Sequence, residues 1–107
     1  MFTSCCPAWV NLVETKYPQV LPHLSTARSP TGITASCVKK YFAQMISKKP
    51  DDLFVVGVMP CTAKKFEALR AQLTTNNIPD VDISITSREL VDLLKENKIE
   101  FSVENEI

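Results

Sequence analysis

Neither sign of charge dominates this chain: 12 Lys and Arg stand against 12 Asp and Glu in 107 residues, and neither forms a block. That balance gives nucleic acid or a membrane surface no electrostatic footing. No apolar run approaches the ~20 residues that a bilayer crossing needs, so no membrane insertion is expected. Met1-Phe2-Thr3-Ser4 has neither the basic nor the apolar region of a secretory signal. There is one histidine, His23, in a proline-rich stretch where a surface place is expected. No two cysteines have the C-x2-4-C spacing of structural zinc. Repeats and low-complexity segments are absent.

What is present is a length suited to one domain, able to bury roughly two thirds of its unfolded surface. Four cysteines are an even number, as a disulfide framework requires. Cys5 and Cys6 are adjacent, however, and could join each other only through a strained ring. Thiols kept reduced and used as ligands are the expectation.

The pattern of elements is α/β. Pro7 suits the first turn of a helix, with Trp9, Leu12, Val13 and Tyr17 as its apolar stripe and Tyr17-Pro18 as its end. A proline-punctuated connection covers 18–29. Ser29-Pro30 opens a second helix to about Lys48, with Ile33, Cys37, Val38, Tyr41, Phe42 and Met45 as the expected inner face. Leu53 to Met59 is nearly continuously apolar and predicts a buried parallel strand. A helix from Cys61 or Thr62 to Leu73, a loop over 74–80, a strand over 81–85 and a helix from Thr86 to about Asn97 follow. Leu90, Val91, Leu93 and Leu94 are expected inward on that last helix. Trp9, Phe54 and Phe66 are expected in the core. Strand, helix, strand, helix predicts βα units on a parallel sheet.

Two short motifs carry the chemistry. Met59-Pro60-Cys61 falls at the carboxyl end of a strand, where open α/β sheets place ligands. A thiol at the helix start that follows faces free backbone N–H groups, which favours the thiolate that metals bind. Cys61, Lys64 and Glu67 share one helix face; Lys64 pairs either with an anionic ligand or with Glu67 at the surface. Cys6 repeats the arrangement before Pro7. Cys5 differs, because adjacent side chains of an extended segment point oppositely. Its thiol can exchange a proton near neutrality at a cost of about 2 kcal/mol, which suits proton delivery; a packed cysteine is the alternative. Cys37 is expected in the core. The pair of motifs points to iron–sulfur chemistry, although two ligands are half of what a cubane takes.

Together, Thr3-Ser4-Cys5-Cys6-Pro7-Ala8-Trp9 and Met59-Pro60-Cys61-Thr62-Ala63-Lys64-Lys65-Phe66-Glu67 closely resemble the first two signatures of the H-cluster domain of [FeFe]-hydrogenases, TSCCPxW and MPCxxKxxE. Tyr17-Pro18, Leu24-Ser25, Ser29-Pro30 and Asp82-Ile83-Ser84-Ile85-Thr86-Ser87-Arg88-Glu89-Leu90 are similar too. The resemblance covers essentially the whole chain. It implies a partial lobe of that iron-only hydrogenase domain, with residues 1–107 carrying only its first two H-cluster motifs. It implies an H-cluster, a [4Fe–4S] cubane plus a di-iron subcluster with CO, cyanide and a bridging dithiolate, and reversible reduction of protons to H2 in anaerobic hydrogen metabolism. Cys6 and Cys61 are then cubane ligands and Cys5 a proton carrier to the dithiolate. Lys64 holds a cyanide, Met59 and Pro60 line the same pocket, and Ser25 belongs to the proton path. Implied partners are ferredoxin or a similar electron carrier, the H-cluster maturation proteins and the remainder of a parent chain.

Two departures stand out. Thr31-Gly32-Ile33-Thr34 replaces the glutamines and bulky apolar residue usual after Ser29-Pro30, and the third motif, with two further cysteines, is missing. With almost no chain before Thr3 and no turn or helix-end signal over 99–107, a piece of a longer protein is expected, Met1 being internal and the piece inactive alone. A hydrogenase-like protein of cytosolic iron–sulfur assembly is the alternative. A soluble, reducing setting is expected: bacterial cytoplasm, or a hydrogenosome or plastid in a eukaryote.

Overall fold

Proline opens four of the helical segments in the computed structural model, which describes residues 1–100; the expectation for the stretch 99–107 therefore falls mostly outside the described residues. Helix α1 (Pro7–Lys16) has Pro7 in its first turn and extended Cys6 as its N-cap, so the missing N–H of proline costs no helical bond. It stops at Tyr17 before Pro18, where a 3-10 segment, Pro18–His23, turns the chain back. The Phe2 N–H then donates to the His23 carbonyl at 2.7 Å, and the Ser25 N–H to the Phe2 carbonyl at 2.8 Å. This parallel bridge lays residues 1–3 beside Leu24-Ser25.

Ser29 caps α2 (Pro30–Cys37), its Oγ accepting from the Gly32 N–H at 3.2 Å. The rod continues through a wide π-type turn, Val38–Phe42, into α3 (Ala43–Met45). The face that packs inward is not the expected one. Gly32, Ala35, Lys39 and Ala43 are buried, whereas Tyr41 is 67 % and Met45 65 % exposed, with Ile33, Phe42 and Cys37 also outside. Small side chains let the rod come close to the sheet, and Lys39 is drawn in by charge. Its Nζ meets Asp82 at 2.8 Å and donates to the carbonyls of Leu53 (2.5 Å) and Pro50 (3.3 Å).

β1 (Val56–Val58) and β4 (Ile83–Ile85) pair in parallel, Val56 opposite Ile83 and Val58 opposite Ile85. Between them come α4 (Ala63–Ala68), shorter than its apolar pattern suggests, and a hairpin of β2 (Thr74–Thr75) and β3 (Ile78–Pro79). The loop expected over 74–80 is this hairpin. Its turn residues Asn76 and Asn77 both have left-handed backbones, φ 52° and 64°, the geometry of a two-residue hairpin turn. The sheet is covered on the Gly57–Ser84 side only: Phe54 is 74 % exposed, and Val56, Val58 and Ile83 are exposed too. The buried strand expected over 53–59 is thus half-buried on one face and exposed on the other. Val13, Ala35, Ala43 and Val81 are the buried apolar residues of the described chain, beside buried Lys39, Lys64, Glu67 and Asp80. Trp9 is half-buried, edge-on to Phe2 at 6.0 Å; Phe66 is exposed, as are Leu12 and Tyr17 of the α1 stripe.

α5 (Ser87–Glu96) begins with a capping box: Thr86 Oγ1 accepts from the Glu89 N–H, and the Glu89 carboxylate accepts from the Thr86 N–H. Its Val91 and Leu93 lie outward, about half exposed. No described helix is long and apolar enough to cross a membrane. The hydrogen bond from Lys65, then that from the Thr86 N–H, lowers the Glu89 pKa to about 2. A depressed carboxylate stabilises the fold above its unfolded pKa, near 4.5, and loses that contribution as pH falls towards 2. Protection of α5 amides against exchange, taken relative to the intrinsic rate at each pH, is therefore expected to fall between pH 4.5 and 2, less so in Glu89→Gln. Equal acid responses in the two proteins would show that the cap does not depend on this charge.

Candidate metal centre

The chain reaches Cys61 from the sheet and Cys6 from an extended N-terminal segment. The Met59 N–H still donates to the Ile85 carbonyl, 3.0 Å, one residue beyond β1; Pro60 has no N–H and ends the ladder. Cys61 then turns into α4, its carbonyl accepting from the Lys64 N–H at 3.3 Å. Met59 and Cys61 are half-buried and Pro60 exposed. On the other side, Cys6 holds φ −96° and ψ 113° and leads directly into α1. Cys5 and Cys6 are both exposed, and all four cysteines are free thiols.

Two contacts bring these segments together. Lys64 Nζ donates to the Cys5 carbonyl at 3.2 Å and to Glu67 Oε2 at 2.6 Å. Arg70, just past α4, grips Glu14 of α1 with both guanidinium nitrogens, at 2.5 and 3.1 Å. Lys64 near the start of α4 thus meets the start of α1, and Arg70 near its end meets the second half of α1. The two helices run side by side in the same direction, and both open at the cysteine end. Unpaired N–H groups at such openings favour anionic sulfur. The Glu14 carboxylate, and to a lesser extent that of Glu67, hold the Arg70 pKa above its ordinary value against the opposing effect of burial.

Lys64 and Glu67 form a buried pair rather than the surface pair that spacing alone allows. An ammonium has three N–H donors; two have protein acceptors here, leaving one for another anion. Ser25 and Cys5 line one open cavity of about 230 Å3 with Ser4 and Ala27. Ser4 Oγ donates to the Ala27 carbonyl at 2.7 Å, and Ser25 Oγ accepts from the Ala27 N–H at 3.2 Å. Cys37 lies apart on the outer side of α2, in place of the core position expected for it, and His23 is exposed. Arg70 and Glu14 escaped sequence reading; the three-residue steps Lys64, Glu67, Arg70 were the available signal.

Thiolates at Cys6 and Cys61 are soft donors suited to iron–sulfur clusters. They fit half the ligand set of a cubane, and no group of three or more His, Cys, Asp or Glu among the described residues could hold a metal.

The profile of the family described as "Iron only hydrogenase large subunit, C-terminal domain" matches residues 1–106. Iron hydrogenase 1 of Clostridium pasteurianum is 46 % identical over 95 % of this chain and 18 % of its own length. Cytosolic Fe-S cluster assembly factor NAR1 of Sclerotinia sclerotiorum is 41 % identical over 95 % of this chain and 19 % of its own. Among solved structures, [FeFe]-hydrogenase HydA1 from Chlamydomonas reinhardtii superposes with a TM-score of 0.91 at 38 % identity, covering 94 % of this chain and 25 % of that one. The α/β architecture with a parallel sheet is that of these hydrogenase structures. The chain spans only about a quarter of the relatives' length at most.

Proposed function

This chain belongs to the iron-only hydrogenase large-subunit family, within its C-terminal domain, and we propose that residues 1–107 are part of a catalytic domain that interconverts protons and H2. The observation that carries the reading is the hydrogen bond from Lys64 to the Cys5 carbonyl, which brings the segment carrying Cys5 and Cys6 to the start of α4. Cys6 and Cys61 would hold a [4Fe–4S] cubane as thiolates, with the other ligands coming from the rest of the parent protein. The bound H-cluster supplies the redox centre and the open iron coordination that proton reduction needs. Lys64 presents its remaining N–H to a cyanide of the di-iron part as a charge-assisted hydrogen bond. Met59 and Pro60 form the adjoining wall.

Cys5 passes protons, a thiol being able both to donate and to accept one, and its neighbour in the open cavity, Ser25, continues the path. Ferredoxin or a similar carrier supplies electrons, and maturation proteins install the di-iron part. A place in cytosolic iron–sulfur assembly is the second reading, supported by the likeness to NAR1. Against it, a cluster scaffold has no use for a relay thiol or for an ammonium with a donor to spare.

The isolated 107 residues are expected to give no H2 with reduced methyl viologen after anaerobic reconstitution with iron and sulfide, since two thiolates leave half the cubane unligated. The full-length protein, matured, is expected to give H2 and to show CO and cyanide infrared bands. H2 from the isolated chain would overturn the division of ligands. A matured full-length protein without those bands would leave the assembly reading in place.

A further inference from the structure

The row Lys64, Glu67, Arg70 runs along α4 and just past its end in steps of three; Lys64 holds the Cys5 carbonyl, and Arg70 holds Glu14 in the second half of α1. In order, the Cys5 carbonyl meets the Lys64 ammonium (3.2 Å), which meets the Glu67 carboxylate (2.6 Å). Arg70 stands next along the row and holds Glu14. Glu67 and Arg70 line the same cavity of about 190 Å3, with Ser4 and Pro7, and the Glu67 charge is felt at Arg70. Charges thus alternate from the start of α1 to its second half. Lys64 is 7 % and Glu67 9 % exposed, so their attraction is little screened by solvent.

We propose that this row is a brace in which Glu67 is the central positioning residue: it fixes the Lys64 ammonium, and through it the Cys5 peptide, relative to the Cys61 turn. Two consequences follow from the bond pattern. Cys5 and Lys64 are set by one and the same contact, so whatever moves the ammonium also moves the thiol-bearing backbone. Glu67 does this without touching the cluster site itself. The Lys65–Glu89 pair, on the same helix, reaches α5 instead and has no part in the brace. The functional half of this inference, that the braced groups serve an H-cluster, rests on the function proposed above; the mechanical half does not.

The test uses the full-length protein carrying this chain, with hydrogen exchange read peptide by peptide. Glu67→Gln keeps the shape and removes the charge. Losing a charged hydrogen-bond partner should speed exchange of the peptide Thr3–Val10 roughly tenfold or more, with Ser87–Glu96 unchanged. Lys65→Met should do the reverse. Arg70→Gln, at the less buried end of the row, is the milder variant and should also loosen Thr3–Val10. In matured protein, Glu67→Gln should displace the cyanide infrared bands at unchanged iron content. Exchange unchanged at Thr3–Val10, or raised evenly along the chain, would overturn the brace; cyanide bands that do not move would overturn its functional half. Wild-type protein lacking cyanide bands altogether would defeat the hydrogenase reading, and the exchange contrast would then decide the brace by itself.

Discussion

Cys5→Ser in the full-length protein is expected to leave iron and sulfide content at the wild-type level while removing nearly all H2 turnover. Cys6→Ser or Cys61→Ser is expected to lower iron content itself. The contrast comes from the roles proposed for the three thiols. Cys6 and Cys61 stand at the openings of two helices that run in parallel, where the backbone favours thiolate and hence iron. Cys5 precedes Cys6 by one residue and is tied through its carbonyl to Lys64, leaving its thiol free to exchange protons. A serine hydroxyl in its place keeps the shape and the hydrogen bonding but cannot ionise near pH 7, so the relay loses its carrier. Iron analysis, the paramagnetic signal of the cubane and an H2 assay on the same preparations check this. Iron lost from Cys5→Ser as severely as from Cys6→Ser would end the division of labour.

The placement of the cysteine motifs could be read from the sequence because a proline beside a helix start is a short local pattern: Cys6 stands before Pro7 and α1, and Cys61 follows Pro60 in the turn before α4. The caps at Ser29 and Thr86 could be read for the same reason, since each is settled within four residues. The inner face of the Pro30–Met45 rod could not. Ile33, Tyr41 and Met45 make the more apolar stripe, but burial goes to Gly32, Ala35, Lys39 and Ala43, because what covers a helix is decided by its partners. Nor could pairings distant along the chain be read: Lys39 with Asp82, Arg28 with Asp80, and Arg70 with Glu14. Nothing local in the sequence marks these residues as partners.

Those distant pairs carry much of the cohesion, since the buried apolar residues of the described chain are few and small. Asp80 accepts from Arg28 at 2.6 Å and from the Thr75 hydroxyl, which ties the 25–29 connection and the β2–β3 hairpin to the start of β4. A buried ion pair replaced on both sides by apolar groups often costs little, whereas removal of one partner leaves a buried charge without compensation. Single substitutions that strand buried Lys39 or Asp80 therefore matter far more than those in the more exposed Arg70–Glu14 pair.

Asp82→Ala is accordingly expected to destabilise the protein by about 3–5 kcal/mol. Lys39 is 1 % exposed, and Asp82 is its anionic partner at 2.8 Å. The same Asp82 oxygen accepts the Val55 N–H at 2.6 Å, while the Asp82 N–H donates to the Val55 carbonyl at 2.9 Å. The carboxylate thereby pins the entry of β1 to the entry of β4 and fixes the register that ends at Met59-Pro60-Cys61. Without it, the Lys39 ammonium keeps only the Leu53 and Pro50 carbonyls, too little to offset its lost hydration. Adding Lys39→Met removes the stranded charge and should recover part of the loss, so the double variant is expected to be more stable than Asp82→Ala alone. Denaturant unfolding of the wild type, both single variants and the double variant measures the coupling. Losses that simply add would mean that Lys39 and Asp82 act independently, and the register of β1 on β4 would need another cause.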